Sequence, residues 1–232
     1  MHMHKAVVAI KVVLATLVLV SMVGCLGLEG VPSGPVAAPQ SPSAPATQVT
    51  LDKAQVARLE RLMIPLLRVM NNPIPSRQVQ VSVVDDPQVN AGSAGSGQFI
   101  VTTGLLSKAS DEQLQAILAH EVAHDDLGHV AKAQTMGAGL NIATILLEQY
   151  FPGAGQLAPI AGNLVIRAYG RNEEYAADEH GVMLLRKINR NGKEMMVNTL
   201  VWLQQTTGGS GGGFFATHPG TDDRIDRVRN MP

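Results

Sequence analysis

Two histidines four residues apart, with a glutamate directly after the first, constrain this chain more than any other feature: His120-Glu121-Val122-Ala123-His124. The stretch reads as the later part of an amphipathic helix. A spacing of four turns through about 400° on an α-helix, so His120 and His124 stand one above the other on one face. Two imidazoles so placed can grip one metal ion, with Zn–N distances of about 2.0–2.1 Å. Glu121 lies about 100° round from His120. A carboxylate beside the ion but off the ligand face is placed to take a proton from metal-bound water. Average residue usage makes a chance occurrence of this pattern rare, on the order of one chain in a hundred at this length. The pattern therefore calls for a third ligand.

A candidate lies downstream, in Arg171-Asn172-Glu173-Glu174-Tyr175-Ala176-Ala177-Asp178-Glu179-His180. Glu174 and Asp178 are four apart and share a helix face. A catalytic zinc takes three protein ligands and keeps one position open. Glu174 as the third ligand, with Asp178 orienting a ligand histidine from behind, meets that need. A solvated acidic face is the plain alternative, and only the histidine pair argues against it. His129 lies on the same helix, five residues after His124 and well round from the pair, which disfavours it as a ligand. The pattern H-E-x-x-H-x-x-G-x-x-H fails here, because Leu127 and Val130 stand in the places of its glycine and last histidine. A site with a cysteine ligand fails too, since the one cysteine is Cys25.

Cys25 has a different context. Lys5 and Lys11 precede an apolar run from Val12 to Val23, which ends at Met22-Val23-Gly24-Cys25. The run is short of the roughly 20 residues of a membrane span but suits a signal-peptide core. The small residue before cysteine resembles the lipobox of bacterial lipoproteins. Residues 1–24 are then a signal peptide and Cys25 a lipid-modified N-terminus. Residues 25–49 continue as a Pro/Ser/Ala-rich tether, too poor in apolar side chains to offset its ordering entropy. Leu26 after the cysteine, in place of aspartate, favours the periplasmic face of the outer membrane by Gram-negative sorting rules. The expected partners are thus a membrane, reached through the lipid, and no nucleic acid, for which a net charge of −1 offers no surface.

The folded domain is expected over residues 50–232. A helix capped by Thr50 carries Val56, Leu59, Leu62, Met63, Leu66, Leu67 and Met70 at helical spacing, with a kink at Pro65. Gln78 to Val84 alternates as a strand. Asn90 to Gly97 reads as a glycine-rich turn, leading into a second strand over Gln98–Thr103. The segment Phe99–Thr102 is expected at the sheet edge, where it would hold an extended peptide by main-chain hydrogen bonds. Ser110-Asp111-Glu112-Gln113 is a capping box that opens the metal-bearing helix. A second apolar pattern over Gly137–Tyr150 and a long helix from about Ala158 to Ile188 would form a helical hairpin around 138–168. The run Gly208–Gly213, with one serine among glycines, suits the hinge of a lid. The expected class is α+β, mainly helical, with a small antiparallel sheet beside the metal-binding helix.

Together the motifs resemble metallopeptidase family forty-eight of the gluzincin group. They follow in that family's order: Asn90-Ala91, then Gly104-Leu105-Leu106 at a strand's end, then His120-Glu121-Val122-Ala123-His124. Glu174-Tyr175-Ala176-Ala177-Asp178 comes next, and His218-Pro219 with Arg224-Ile225 last. Gly170-Arg171 departs from the Ser-Arg that the family often places before the glutamate motif. The resemblance implies a zincin-like domain with one zinc per chain, polypeptide substrates, and Glu174 as third ligand in preference to Glu173 or Glu179. It puts His218 near the zinc, either donating to the oxyanion or capping the metal at rest, and Arg224 nearby, assisting or anchoring the loop. The chain is similar to the small lipid-anchored bacterial branch. The expected function is a zinc-dependent endopeptidase of the bacterial cell envelope with Glu121 as general base. A chaperone or assembly factor with little turnover is the alternative, although such a binder has no need of Glu121.

Overall fold

A computed structural model describes residues 11–14, 53–135, 169–207 and 213–232. Cys25, the tether, the expected hairpin around 138–168 and residues 208–212 of the glycine-rich run lie outside the described residues.

The first helix, α1 (Lys53–Leu67), turns Leu59, Leu62, Met63, Leu66 and Leu67 into the core. Pro65 lies in its last turn, and the helix stops at Leu67 instead of running on to Met70. Arg58 fastens α1 to the start of the helix that carries His120 and His124: its guanidinium donates to Asp111 at 2.7 Å and to the carbonyls of Leu106 and Ala109 at 2.7 and 2.6 Å.

The sheet has four strands, β1 (Lys11–Leu14), β2 (Gln80–Val84), β3 (Ala91–Gly95) and β4 (Gln98–Thr102), in the spatial order β1-β2-β4-β3. It differs from expectation in two ways. Asn90–Gly97 is mostly strand β3 and not a turn, and the sheet is mixed: β1, β2 and β4 run parallel, and only β3 is antiparallel to β4. The chain leaves β2 at Asp85 and crosses to the far side of β4's place before it reverses. The Phe99–Thr102 segment is therefore interior, between β2 and β3, and among the described residues β3 forms the edge.

β4 runs straight into α2 (Thr103–Lys108), whose first turn is capped by the Thr102 hydroxyl accepting from Leu105 N–H at 3.1 Å. Helix α3 (Asp111–Asp126) opens on the expected capping box: Ser110 Oγ accepts from Gln113 N–H, and Gln113 Oε1 accepts from Ser110 N–H. It is not amphipathic. Every residue from Leu114 to His124 is buried, so α3 is the central helix of the domain. Gly128, at φ +67°, ends it, and a separate short helix α4 (His129–Thr135) follows.

Helix α5 (Arg171–Lys187) begins later than expected. Gly170 is extended, and the Glu173 carboxylate accepts from Gly170 N–H at 2.9 Å to close the first turn. α5 packs closely on α3 at Gly181, where a Cβ would sit 3.3 Å from the backbone of Ala119 and 2.9 Å from Met196 Cε. That approach brings the α5 carboxylates to the α3 histidines. Helices α6 (Gly192–Thr207), α7 (Phe214–Thr217) and α8 (Thr221–Arg229) complete the described residues. Ile225 and Val228 of α8 bury against Val182, Met196 and Leu200. At about 1.5–3 kcal/mol per buried aliphatic side chain, this seats α8 firmly enough to carry a charged residue inward. Among the described residues no helix is long and apolar enough to cross a membrane.

Candidate metal centre

Three elements converge on one point. α3 supplies His120 and His124, α5 supplies Glu174, and the turn after α7 supplies His218, all four buried. His120 Nε2 and His124 Nε2 are 3.0 Å apart, and His218 Nδ1 lies 3.3 Å from His120 Nε2. Glu174 Oε1 is 3.1 Å from His218 Nδ1 and 3.4 Å from His124 Nε2, and Oε2 is 3.5 Å from His120 Nε2. A tetrahedral zinc with ligands near 2.05 Å has donor–donor edges of about 3.3 Å. The cluster has the size and the donor chemistry of such a site. The structure brings together His120, His124 and Glu174, which sequence spacing singled out, and His218, which only motif order connected to them.

Glu121 lies against this cluster, buried, with neither carboxylate oxygen accepting a hydrogen bond. His218 Nε2 stands 3.3 Å from its Oε1. Burial raises the Glu121 pKa above the usual carboxylate value, against the nearby His218 and His120. A buried carboxylate so poorly supplied with donors fits a place prepared for an ion and its water.

The ligands are themselves held. His120 Nδ1 stands 2.9 Å from Asp178 Oδ1. Arg224, wholly buried, donates to both oxygens of Asp178 at 2.7 and 2.8 Å and to the His218 carbonyl at 3.2 Å, and its Nη1 forms an ion pair with Glu174 Oε2 at 2.7 Å. Burial alone would raise the Asp178 and Glu174 pKa values. The charge of Arg224 on Asp178, and of His218 and Arg224 on Glu174, outweighs it and holds both below the usual range. Burial works the other way on His124, whose pKa lies well below 6.5. The neighbouring acids have their own partners: Glu173 closes the first turn of α5, and Glu179 pairs with Arg227 at the surface. Neither is available as a ligand.

Two residues that sequence reading did not assign also touch the site. His129 was expected on α3 and well round from the ligands. It starts α4 instead, and its Nδ1 reaches His124 Nδ1 at 2.9 Å. Gly128 was the available signal for that reversal. Tyr169 stacks on His124 with ring centroids 3.6 Å apart, and nothing in its sequence position marked it. Further out, the Asp126 carboxylate takes His180 Nε2 at 2.6 Å and the Asn71 and Asn72 N–H groups at 2.8 and 2.6 Å, pinning the end of α3 to α5 and to the turn after α1. Asp125 accepts from the Ser96 and Gly97 N–H groups, fixing the β3–β4 turn to α3.

Comparison with known proteins bears on the same residues. A family model described as Peptidase family M48 matches residues 53–232, which include the whole site. The chain is also similar to proteins named Protease HtpX homolog from Burkholderia mallei (strain SAVP1) and Burkholderia pseudomallei (strain K96243). Each is 27% identical over 223 residues, covering 78% of this chain and 76% of the relative.

Proposed function

The chain belongs to the M48 family of peptidases and is a metallopeptidase, and from that premise we propose that it is a zinc-dependent endopeptidase of the bacterial cell envelope, anchored at the periplasmic face of the outer membrane by a lipid on Cys25. Its substrates are polypeptides of the envelope. Removal of residues 1–24 as a signal would take β1 from the sheet and leave β2, β4 and β3 around the site.

His120, His124 and Glu174 would hold one zinc, an ion suited to imidazole and carboxylate donors in a four-coordinate site. Bound there, zinc supplies Lewis acidity, polarising the scissile carbonyl and lowering the pKa of the attacking water. Asp178 faces His120 Nδ1, which keeps that nitrogen protonated and turns Nε2 inward. Glu121 takes the proton of the attacking water and passes it to the leaving amine, and its raised pKa suits the second transfer. An extended substrate pairs with the edge strand β3, the role first expected of β4. A catalytic zinc needs an open position, and His218, with Nδ1 3.1 Å from Glu174 Oε1 and Nε2 3.3 Å from the base, would stand where that position is required. His218 therefore caps the site at rest and withdraws for turnover.

The observation that carries this reading is the buried group of His120, His124, Glu174 and His218, whose donor atoms lie within 4.8 Å of one another, with an unbonded carboxylate against them. A fourth candidate donor, His218, beside the other three also favours a second reading, a chaperone or assembly factor with little turnover. Zinc analysis and casein cleavage by the mature domain, with and without a chelator, separate the two. Glu121→Gln should retain zinc and lose cleavage by about 10²–10⁴-fold. A zinc-loaded chain that leaves casein intact would move the assignment to the second reading, and full activity in Glu121→Gln would remove Glu121 from the mechanism.

A further inference from the structure

The outward side of β3 is already engaged. Thr102 N–H donates to the Asn90 carbonyl, and Gly92 and Ser93 stand opposite Ile100 and Phe99. Pairing alternates along an antiparallel ladder, so the main-chain groups of Ala91 and Ser93 point away from β4, toward the side of β3 that no strand of the described residues covers. Side chains meet them there. Asn90 Oδ1 accepts from Ala91 N–H at 2.8 Å, and the Tyr169 hydroxyl donates to the Ser93 carbonyl at 3.1 Å. Just beyond, Ser93 Oγ accepts from Gly95 N–H at 3.2 Å.

Of these, Tyr169 is the one that reaches in from another part of the chain. It is buried, stacks on the metal ligand His124, and lies 5.3 Å from the His218 ring at 29°. Its backbone N–H donates to the Thr217 carbonyl at 3.0 Å, one residue before His218. One side chain thus spans the edge strand, a ligand and the cap. An extended peptide added to β3 would present its own N–H to the Ser93 carbonyl, the group that Tyr169 holds.

We propose that Tyr169 occupies the main-chain subsite on β3 that the substrate peptide takes, and that it leaves the cleft together with His218 as one unit. Substrate entry exchanges one hydrogen bond to the Ser93 carbonyl for another and uncovers His124. This rests on the endopeptidase reading, with β3 as the substrate strand.

The test uses the zinc-loaded full chain carrying Glu121→Gln, so that bound peptide is not cut, and fluorescein-labelled casein as probe. Adding Tyr169→Phe keeps the stacked ring but removes the hydroxyl, which leaves the Ser93 carbonyl unsatisfied in the closed arrangement. The Kd for casein should fall about five-fold, the worth of one ordinary hydrogen bond. In a chain also carrying His218→Ala the difference should vanish, since the unit is already released. Without any change at position 169, casein binding should speed hydrogen exchange at the Tyr169 amide and slow it at Ala91. An unchanged or weaker Kd in Tyr169→Phe, or exchange at Tyr169 indifferent to casein, overturns the proposal. Cleavage of casein by the unsubstituted chain alongside either result shows that Tyr169 alone was misassigned. Absence of both cleavage and binding takes down the endopeptidase reading and this inference with it.

Discussion

The Arg224 guanidinium meets the Asp178 carboxylate in two bonds of 2.7 and 2.8 Å, entirely out of water. The same group reaches Glu174 at 2.7 Å and the His218 carbonyl at 3.2 Å. One buried cation therefore balances two carboxylates a helical turn apart and also holds the backbone of the capping residue. The planar fork allows this, and an ammonium group cannot reproduce it.

Removing that cation should be costly. Arg224→Ala strands two buried carboxylates and should destabilise the metal-free domain by about 3–5 kcal/mol. Arg224→Lys should recover only part of that. Zinc offsets the stranded charge, so the gain in stability on adding zinc should be larger in both variants than in the unsubstituted chain. Urea unfolding with and without zinc measures this. An Arg224→Ala domain as stable as the parent would mean that the buried carboxylates are protonated or hydrated.

His218 offers a sign test. If Nδ1 caps the ion at rest, as the 3.1 Å and 3.3 Å spacings to Glu174 and His120 suggest, His218→Ala should loosen zinc binding and raise casein turnover. If His218 instead supports the oxyanion, the same change should cut turnover by about 10²–10³-fold. Zinc affinity and initial rates on one preparation decide between them.

The pH dependence of metal uptake follows from His120. Burial pushes its pKa down, but hydrogen bonds to Asp178 and Glu174 outweigh this and raise it from 6.5 to about 9 in the metal-free chain. The folded value exceeds the unfolded one. The proton on His120 therefore stabilises the metal-free fold fully below 6.5, and that contribution is lost as pH rises through about 9. Zinc affinity moves in the opposite sense, because the ion must displace the proton: it should rise about tenfold per pH unit up to that value. Chelator competition across this window, beside urea unfolding of the metal-free chain, checks both signs. An affinity flat with pH would show His120 already neutral before zinc arrives.

The ligands were legible because a spacing of four on a helix is a geometric statement. His120 with His124, and Glu174 with Asp178, needed no tertiary information. His218 and Arg224 sit on separate short elements, and only the order of motifs could connect them to the site. β3 escaped notice because its residues, Ala91-Gly92-Ser93-Ala94-Gly95, carry little strand preference. Pairing with β4 and close cover by the central helix decide the matter, and small side chains permit that cover. The edge was misplaced for the same reason: once Asn90–Gly97 was taken for a turn, β4 had no outer neighbour. Tyr169 follows the undescribed stretch and carries no periodic signal, so only the fold could reveal it.

His129 was set aside because five residues along one helix would carry it away from the ligand face. The helix does not continue. Gly128 takes a positive φ, the chain reverses, and His129 returns to His124 at 2.9 Å between their Nδ1 atoms. Were His124 Nε2 given to an ion, its Nδ1 would bear the proton and His129 Nδ1 would accept it. The two histidines have unlike supports, a carboxylate behind His120 and an imidazole behind His124. Loss of such a support typically lowers metal affinity about 10–100-fold. His129→Ala should fall in that range with little change in folding of the metal-free domain, and His129→Asn, which keeps an acceptor, should restore part of it. In the cobalt-substituted chain the ligand-field bands should shift in His129→Ala, since His124 is free to rotate. Unaltered zinc affinity and an unaltered cobalt spectrum in His129→Ala would show that stacking on Tyr169 orients His124 without help from His129.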